Sequence, residues 1–342
     1  MGHVGRSDPW ANRWTVKSAA VPSDERMTIV LRQTAGPAPW PGHPGGIHGA
    51  LSMSNLTMEE PTDASLQGII LPPMPATLTG INGERAKAEP RLSEIARLIE
   101  RDISVAGAVI KAVNSPLFGL RRKLESIEQA VFLLGLDNVV NLVTALSLRS
   151  AMQAAKFPAL DRFFDSAQQV ALIMSSLAGE LCAMPPGQAY LLGLFHDCGM
   201  PLLHQKYPDY QKIMQTAKTT LNRSITTVED EHLGTDHALV GYFVGRSWKL
   251  PNAICLSIRF HHHAYDLLEA SKRTTQRGED IDALTNAVAL LAMAEIINYR
   301  LGYREEYHDW DVAGPSVLAH FELTPQAFEL LEKDTCEKLA EA

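Results

Sequence analysis

The sequence predicts an all-α protein, and three features carry that prediction. From about residue 65 onward, apolar residues recur at spacings of three and four, the signature of helices with one buried face. Capping residues stand in front of several of these runs. No convincing alternating stretch of strand type follows residue 65. Residues 1–64 are different, with proline and glycine clusters such as the run from Pro39 to Gly46 and no sustained period. A poorly ordered N-terminal segment is expected there, with Met27 to Leu31 as a short strand candidate lacking an evident partner.

The compact part opens on Leu71 to Pro75, where three prolines favour extended backbone. Leu92, Ile95, Ala96, Leu98 and Ile99 then mark an amphipathic helix with Glu94, Arg97 and Arg101 outside. Asp102 or Ser104 caps the next helix, built on Val105, Val109, Ile110 and Val113 and stopped by Asn114 to Pro116. Ser126 and Gln129 form a capping-box pattern opening a short helix that Gly135 ends. Asp137 is placed to cap a helix from Asn138 to Met152. The last pair resembles a helix-turn-helix, but the would-be reading helix is apolar and has no Arg or Lys before Arg149. It reads as a core helix, and no direct DNA binding is expected.

Further helices are expected over Ser166–Leu181, from the Pro185–Gly187 break through His196 and Asp197 to about Tyr207, and over Asp209–Thr219. Thr235 or Asp236 caps one through Trp248, and Pro251 opens one ending near His263. Ala283–Leu301 follows, and Thr324 with Pro325 starts the last helix.

Composition narrows the function classes. The 46% hydrophobic content suffices for a sizeable core, and the net charge of −8, from 31 Lys+Arg against 39 Asp+Glu, gives no general attraction to nucleic acid or anionic membrane. The densest basic cluster, Arg121 to Lys123, reads as solvated surface. No apolar run reaches the roughly 18 residues of a membrane span, and no signal peptide is evident. Cys182, Cys198, Cys255 and Cys336 lack metal or disulfide spacing and read as thiols of a reducing compartment. A cytoplasmic location is expected.

The candidate chemistry lies in the second half. His196 and Asp197 are adjacent ionisable residues inside an apolar run, costly to bury unless paired or bound to metal. Imidazole and carboxylate together suit Fe, Mn, Zn or Ni. His237 begins a helix behind Asp236, His261 and His262 stand at the end of the next, and Glu295 is an acid embedded in an apolar helix. Taken singly, each has an ordinary structural explanation. His204, His232 and His263 read as locally satisfied or exposed.

In combination with the other motifs, the pattern resembles the HDOD domain, a divergent branch of the HD hydrolase superfamily. The resemblance rests on Leu71 to Pro75, Ile99 to Asp102, Ala112 to Gly119, Ser126 to Gly135, Leu191 to Asp197, Gly234 to Gly241, Trp248 to Pro251 and Ile258 to His262, in the family's order. It implies an HD-like multi-helix bundle (residues 156–302) carrying an N-terminal helical lobe (65–155); beyond it the sequence itself predicts a C-terminal helical extension over 303–342.

Active relatives, including HD-GYP phosphodiesterases that hydrolyse cyclic di-GMP, hold metal through an early His, the His-Asp pair, later histidines and a distal Asp. On that pattern His196, Asp197, His237 and His261 or His262 match. Glu295 replaces the distal Asp, and Ser166 occupies the early-His position, with Asp165 beside it as a substitute. The Gly-Tyr-Pro stretch is absent. The resemblance therefore implies a signalling protein whose pocket, without catalysis, recognises a protein partner or a cyclic di-nucleotide. A reduced metal-dependent phosphohydrolase is the alternative.

Overall fold

The structure, a computed structural model, describes residues 66, 68–115, 120, 122–152, 160–219, 224–273, 279–302 and 309–341. Residues 1–64, with the expected disorder and the strand candidate from Met27 to Leu31, lie outside the described residues. Among the described residues there is no strand, and the fold is all-α.

Five helices form the first part: α1 (Ala76–Arg85), α2 (Leu92–Glu100), α3 (Ile103–Val113), α4 (Ile127–Leu134) and α5 (Leu136–Met152). Asp102 caps α3 by accepting from the Val105 amide at 3.1 Å, and Ser126 caps α4 through the Gln129 amide at 3.1 Å. The Gln129 side chain reaches the Glu125 amide at 2.8 Å, one residue earlier than a standard capping box would place it. Beyond α3, Asn114 pairs both ends of its amide with the Leu124 backbone, at 2.7 and 2.8 Å, and so fixes where the chain returns. Helix α5 starts at Leu136, so Asp137 lies inside its first turn rather than capping it. Val139, Val140, Leu142, Val143 and Leu148 are buried; the apolar stripe of the would-be reading helix packs inward.

The second part comprises α6 (Leu160–Leu181), α7 (Pro186–Phe195), α8 (Gly199–Lys206), α9 (Tyr210–Thr219), α10 (Ile225–Leu233), α11 (His237–Ser247) and α12 (Asn252–Phe260). After a single 3-10 turn (His261–His263) come α13 (Ala264–Arg273), α14 (Glu279–Arg300), α15 (Asp309–His320) and α16 (Pro325–Ala340). Helix α7 is central, lying against α5 and α6, while α14 packs on α6 and α12, and α11 on α8 and α12. One continuous hydrophobic core runs from Leu78 in α1 to Phe328 in α16. Across it, the Trp248 indole N–H donates to the Pro72 carbonyl at 2.9 Å, tying the proline-rich leading segment to the second part.

Four helices were not read from sequence: α1, α10, α13 and α15. The uninterrupted helix expected through His196 and Asp197 is also corrected. Helix α7 stops at Phe195, the chain tightens through His196–Cys198, and α8 resumes at Gly199. Proline explains the break, since Pro201 has no N–H to give the Asp197 carbonyl. That carbonyl instead accepts from the Met200 amide at 2.9 Å.

Two glycines set the spacing of the helices around this turn. A Cβ on Gly193 would lie 2.5 Å from the Cα of Ala171, so α7 meets α6 backbone to backbone. A Cβ on Gly199 would lie 2.0 Å from the His237 carbonyl oxygen, which fixes α8 against α11. Gly193→Ala should destabilise the protein by about 1–3 kcal/mol, the usual cost of overpacking a core. Urea unfolding of the two proteins would measure it, with a lower midpoint expected for the variant.

Candidate metal centre

The structure brings His196, Asp197, His237, His261, His262 and Glu295 to one buried place. His196 and Asp197 come from the turn between α7 and α8, His237 from the first residue of α11, His261 and His262 from the 3-10 turn, and Glu295 from the middle of α14. Their side chains are between 0 and 8% exposed. Asp236 sets the start of α11 by accepting from the Leu239 amide at 2.7 Å, and thereby aims His237 inward.

The donor atoms converge in two sets that share Asp197. In the first, Asp197, His237, His261 and His262 each offer one atom, all within 4.8 Å of one another. Asp197 Oδ1 lies 3.3 Å from both His237 Nε2 and His261 Nε2. His237 Nε2 is 3.0 Å from His262 Nε2 and 3.4 Å from His261 Nε2. The second set is His196, Asp197 and Glu295, with His196 Nε2 at 3.2 Å from Asp197 Oδ2 and 3.8 Å from Glu295 Oε1.

All four imidazoles are oriented through Nδ1. His196 meets the Gly193 carbonyl at 2.7 Å and His261 the Ile258 carbonyl at 2.8 Å. His237 meets Glu229 Oε2 at 2.6 Å, and His262 meets Asp309 Oδ2 at 2.5 Å. Those acceptors assign the ring proton to Nδ1 and leave Nε2 as a lone pair in each neutral ring. Lone pairs converging on one another and on carboxylates repel unless a positive charge sits among them. A divalent cation fits this donor set, with nitrogen and oxygen ligands suited to Fe, Mn, Zn or Ni. Without metal, a proton can take that place. Burial works against a charge on His237, but Glu229 and Asp197 on either side outweigh it and push its pKa up to about 10. Burial, with His261 and His237 beside it, holds His262 well below the ordinary histidine value.

Ser166 stands where the resemblance places the early His. Ser166 accepts a hydrogen bond from the Asn298 side-chain amide at 3.0 Å, between α6 and α14. Asp165 does not substitute for it, because its side chain is 61% exposed and pairs with Arg149 at 3.3 Å. His232 bonds the Val228 carbonyl at 2.8 Å, His204 packs edge-on to Tyr210, and His263 lies near Asp266 at the surface. The four cysteines are all free, Cys198 and Cys255 being buried.

The fold agrees with what known proteins show. Residues 71–264 match the HDOD domain. The chain belongs to the HDOD family. Among solved structures, an HDOD protein from Geobacter sulfurreducens superposes with a TM-score of 0.52 at 21% identity, over 80% of this chain and 95% of its own. A candidate phosphohydrolase from Shewanella amazonensis SB2B gives 0.58 at 21% identity, over 80% and 93%. A candidate signal transduction protein from Marinobacter aquaeolei VT8 gives 0.52 at 22%, over 80% and 58%. At these identities the likeness is one of fold. Of curated proteins, one from Treponema pallidum (strain Nichols) is 25% identical over 198 residues, 56% of this chain and 38% of its own length. YuxH of Bacillus subtilis (strain 168) is 28% identical over 120 residues, 33% of this chain and 27% of its own length. The chain thus spans well under half the length of the curated relatives it matches.

Two residues that sequence reading passed over support this cluster. Glu229 is fully buried in α10 and accepts from the His237 backbone at 2.9 Å, the His237 ring and the Tyr210 hydroxyl. Its signal was present: Glu229 follows Ile225 by four and precedes Leu233 by four, on the apolar stripe of α10. The neighbouring Asp230 and Glu231 make the run look like solvated surface. Asp309, the first residue of α15, carries no comparable signal.

These protonation states predict a pH dependence. A metal must displace the proton on His237 Nε2, so binding releases a proton at every pH below about 10. Affinity for Zn should therefore rise by about tenfold per pH unit through the neutral range. In Glu229→Gln the carboxylate that raises the His237 pKa is gone, and the slope should flatten. Calorimetric or chelator-competition titrations at three pH values would measure both.

Proposed function

We propose that this HDOD protein is a signalling regulator whose centre holds one divalent ion without hydrolysing a substrate. Its helical cleft recognises a protein partner or a cyclic di-nucleotide, in the cytoplasm. The observation that carries this reading is the quartet of Asp197, His237, His261 and His262. Four protein ligands fill a tetrahedral ion and keep no position for a water nucleophile, as in structural zinc sites; catalytic zinc sites keep three ligands and one open place. The burial of His196, His237, His261 and Glu295, each 2% exposed or less, supports the same reading. So does Ser166, engaged by Asn298 where the resemblance places a further ligand.

A second reading has one observation in its favour. His196, Asp197 and Glu295 form a three-ligand set beside the quartet, and an ion held there would supply Lewis acidity and an activated water for phosphoester hydrolysis. The solved relative from Shewanella described as a candidate phosphohydrolase agrees with it in fold.

Metal analysis of the purified protein, with cyclic di-nucleotide binding and turnover assays and a pull-down, separates the two. The regulator reading expects about one ion per chain, measurable binding of a messenger or partner, and no turnover above background. Metal-dependent hydrolysis of any phosphoester at enzymatic rates would overturn it and establish the second reading.

A further inference from the structure

We infer that Asp309 is a positioning residue of the metal centre, and that through it the C-terminal helices α15 and α16 are energetically coupled to the bound ion. This rests on the reading above that the quartet holds an ion.

The four imidazoles are not held alike. His196 and His261 are anchored by carbonyls three residues back in their own turns, at Gly193 and Ile258, so their orientation is local. His262 lies on a single 3-10 turn without a side-chain cap, just past the end of α12. Its Nδ1 is met by Asp309, 47 residues away, at 2.5 Å, with the two side chains 4% and 17% exposed. A carboxylate on the outer nitrogen of a histidine fixes the ring's tautomer and direction and raises the basicity of the nitrogen facing the ion.

Asp309 is itself firmly placed. It opens α15, which packs on α13 and α14. Ser316 in α15 donates to Glu269 of α13 at 2.9 Å. Trp310, the next residue, stacks on Phe328 of α16 with ring centroids 5.1 Å apart and planes inclined by 29°. A Cβ on Gly314 would lie 2.9 Å from the Trp310 ring, so the indole lies flat against the backbone of its own helix. A continuous line of contact therefore runs from Phe328 through Trp310 and Asp309 to His262, and on to His237 at 3.0 Å between the Nε2 atoms.

Asp309, Trp310 and Phe328 all lie beyond residue 264, where the match to the HDOD domain ends. The domain supplies the quartet, while the extension orients one of its members. Coupling of this kind is reciprocal. The ion favours the seated position of α15, and whatever grips or displaces α15 and α16 changes the affinity for the ion.

The test compares wild type with Asp309→Ala, Asp309→Asn, Asp309→Glu and Trp310→Ala. Cobalt(II) titrations are read by visible absorption with zinc competition, and amide hydrogen exchange of α15 is followed with and without zinc. Asp309→Ala is expected to weaken metal binding by about 10–100-fold and to shift the cobalt bands. Asp309→Asn, nearly isosteric, should fall between it and wild type, and Asp309→Glu should restore part of the loss. Trp310→Ala, which leaves the carboxylate in place, should also weaken binding. Zinc should slow exchange in α15 of the wild type and leave it unchanged in Asp309→Ala. Wild-type affinity and unchanged bands in Asp309→Ala and Asp309→Asn would overturn the coupling while leaving the centre intact. A wild type that binds neither cobalt nor zinc would overturn the reading of the centre, and the coupling with it.

Discussion

Asp197 is the constraint around which the second half of the molecule is arranged. One of its oxygens faces His237 and His261, the other faces His196, so a single carboxylate joins the two ligand sets. Placing it there takes three backbone conditions. The helix must tighten after Phe195, which Pro201 brings about; α8 must lie against α11, which Gly199 permits; and Asp236 must start α11 one residue before His237. None of the three involves a ligand side chain. The centre is set by how the helices begin and end.

The electrostatics follow from the same arrangement. Asp197, Glu229, Glu295 and Asp309 surround four imidazoles in a region withdrawn from water. Buried carboxylates in such number are costly unless positive charge is supplied among them. In the quartet a proton on His237 can supply that charge, and the donor set is one that a divalent cation could fill in its stead.

Much of the fold was legible because each helix declares itself by a period and a cap. Ser126 and Thr324 cap as read, and Asp102 and Asp236 prove to be the caps where the sequence left Ser104 and Thr235 as alternatives. Helix α10 was passed over although Ser224 caps it and Gly234 ends it, whereas α1 and α15 break those rules locally. Helix α1 contains Gly80 and Gly83, each costing roughly 1 kcal/mol of helix propensity relative to alanine, and forms because Leu78 and Ile81 are buried. Helix α15 carries Pro315 within it and is secured by packing of Trp310 and Ser316. At the centre, the histidines and Glu295 could be named from the sequence because ionisable residues stand out in apolar runs. Asp309 could not, since its partner His262 is 47 residues away; Glu229 carried a signal on the apolar stripe of α10, but Asp230 and Glu231 beside it obscured it. Asp165 looked available as a ligand only because sequence does not say which way a helix turns its faces.

The hydrogen bond from Trp248 to the Pro72 carbonyl spans 176 residues. At synthesis rates of about 5–20 residues per second, the leading segment is made on the order of ten seconds or more before its partner exists. The proline-rich segment must therefore wait for its Trp248 partner while α1 to α5 emerge, held until then only by local contacts such as that of Asn82 with Met74. Its docking is a late event in biogenesis, available only once α11 has been made. Nascent chains halted before Trp248 lack this tie between the leading segment and the second part of the molecule.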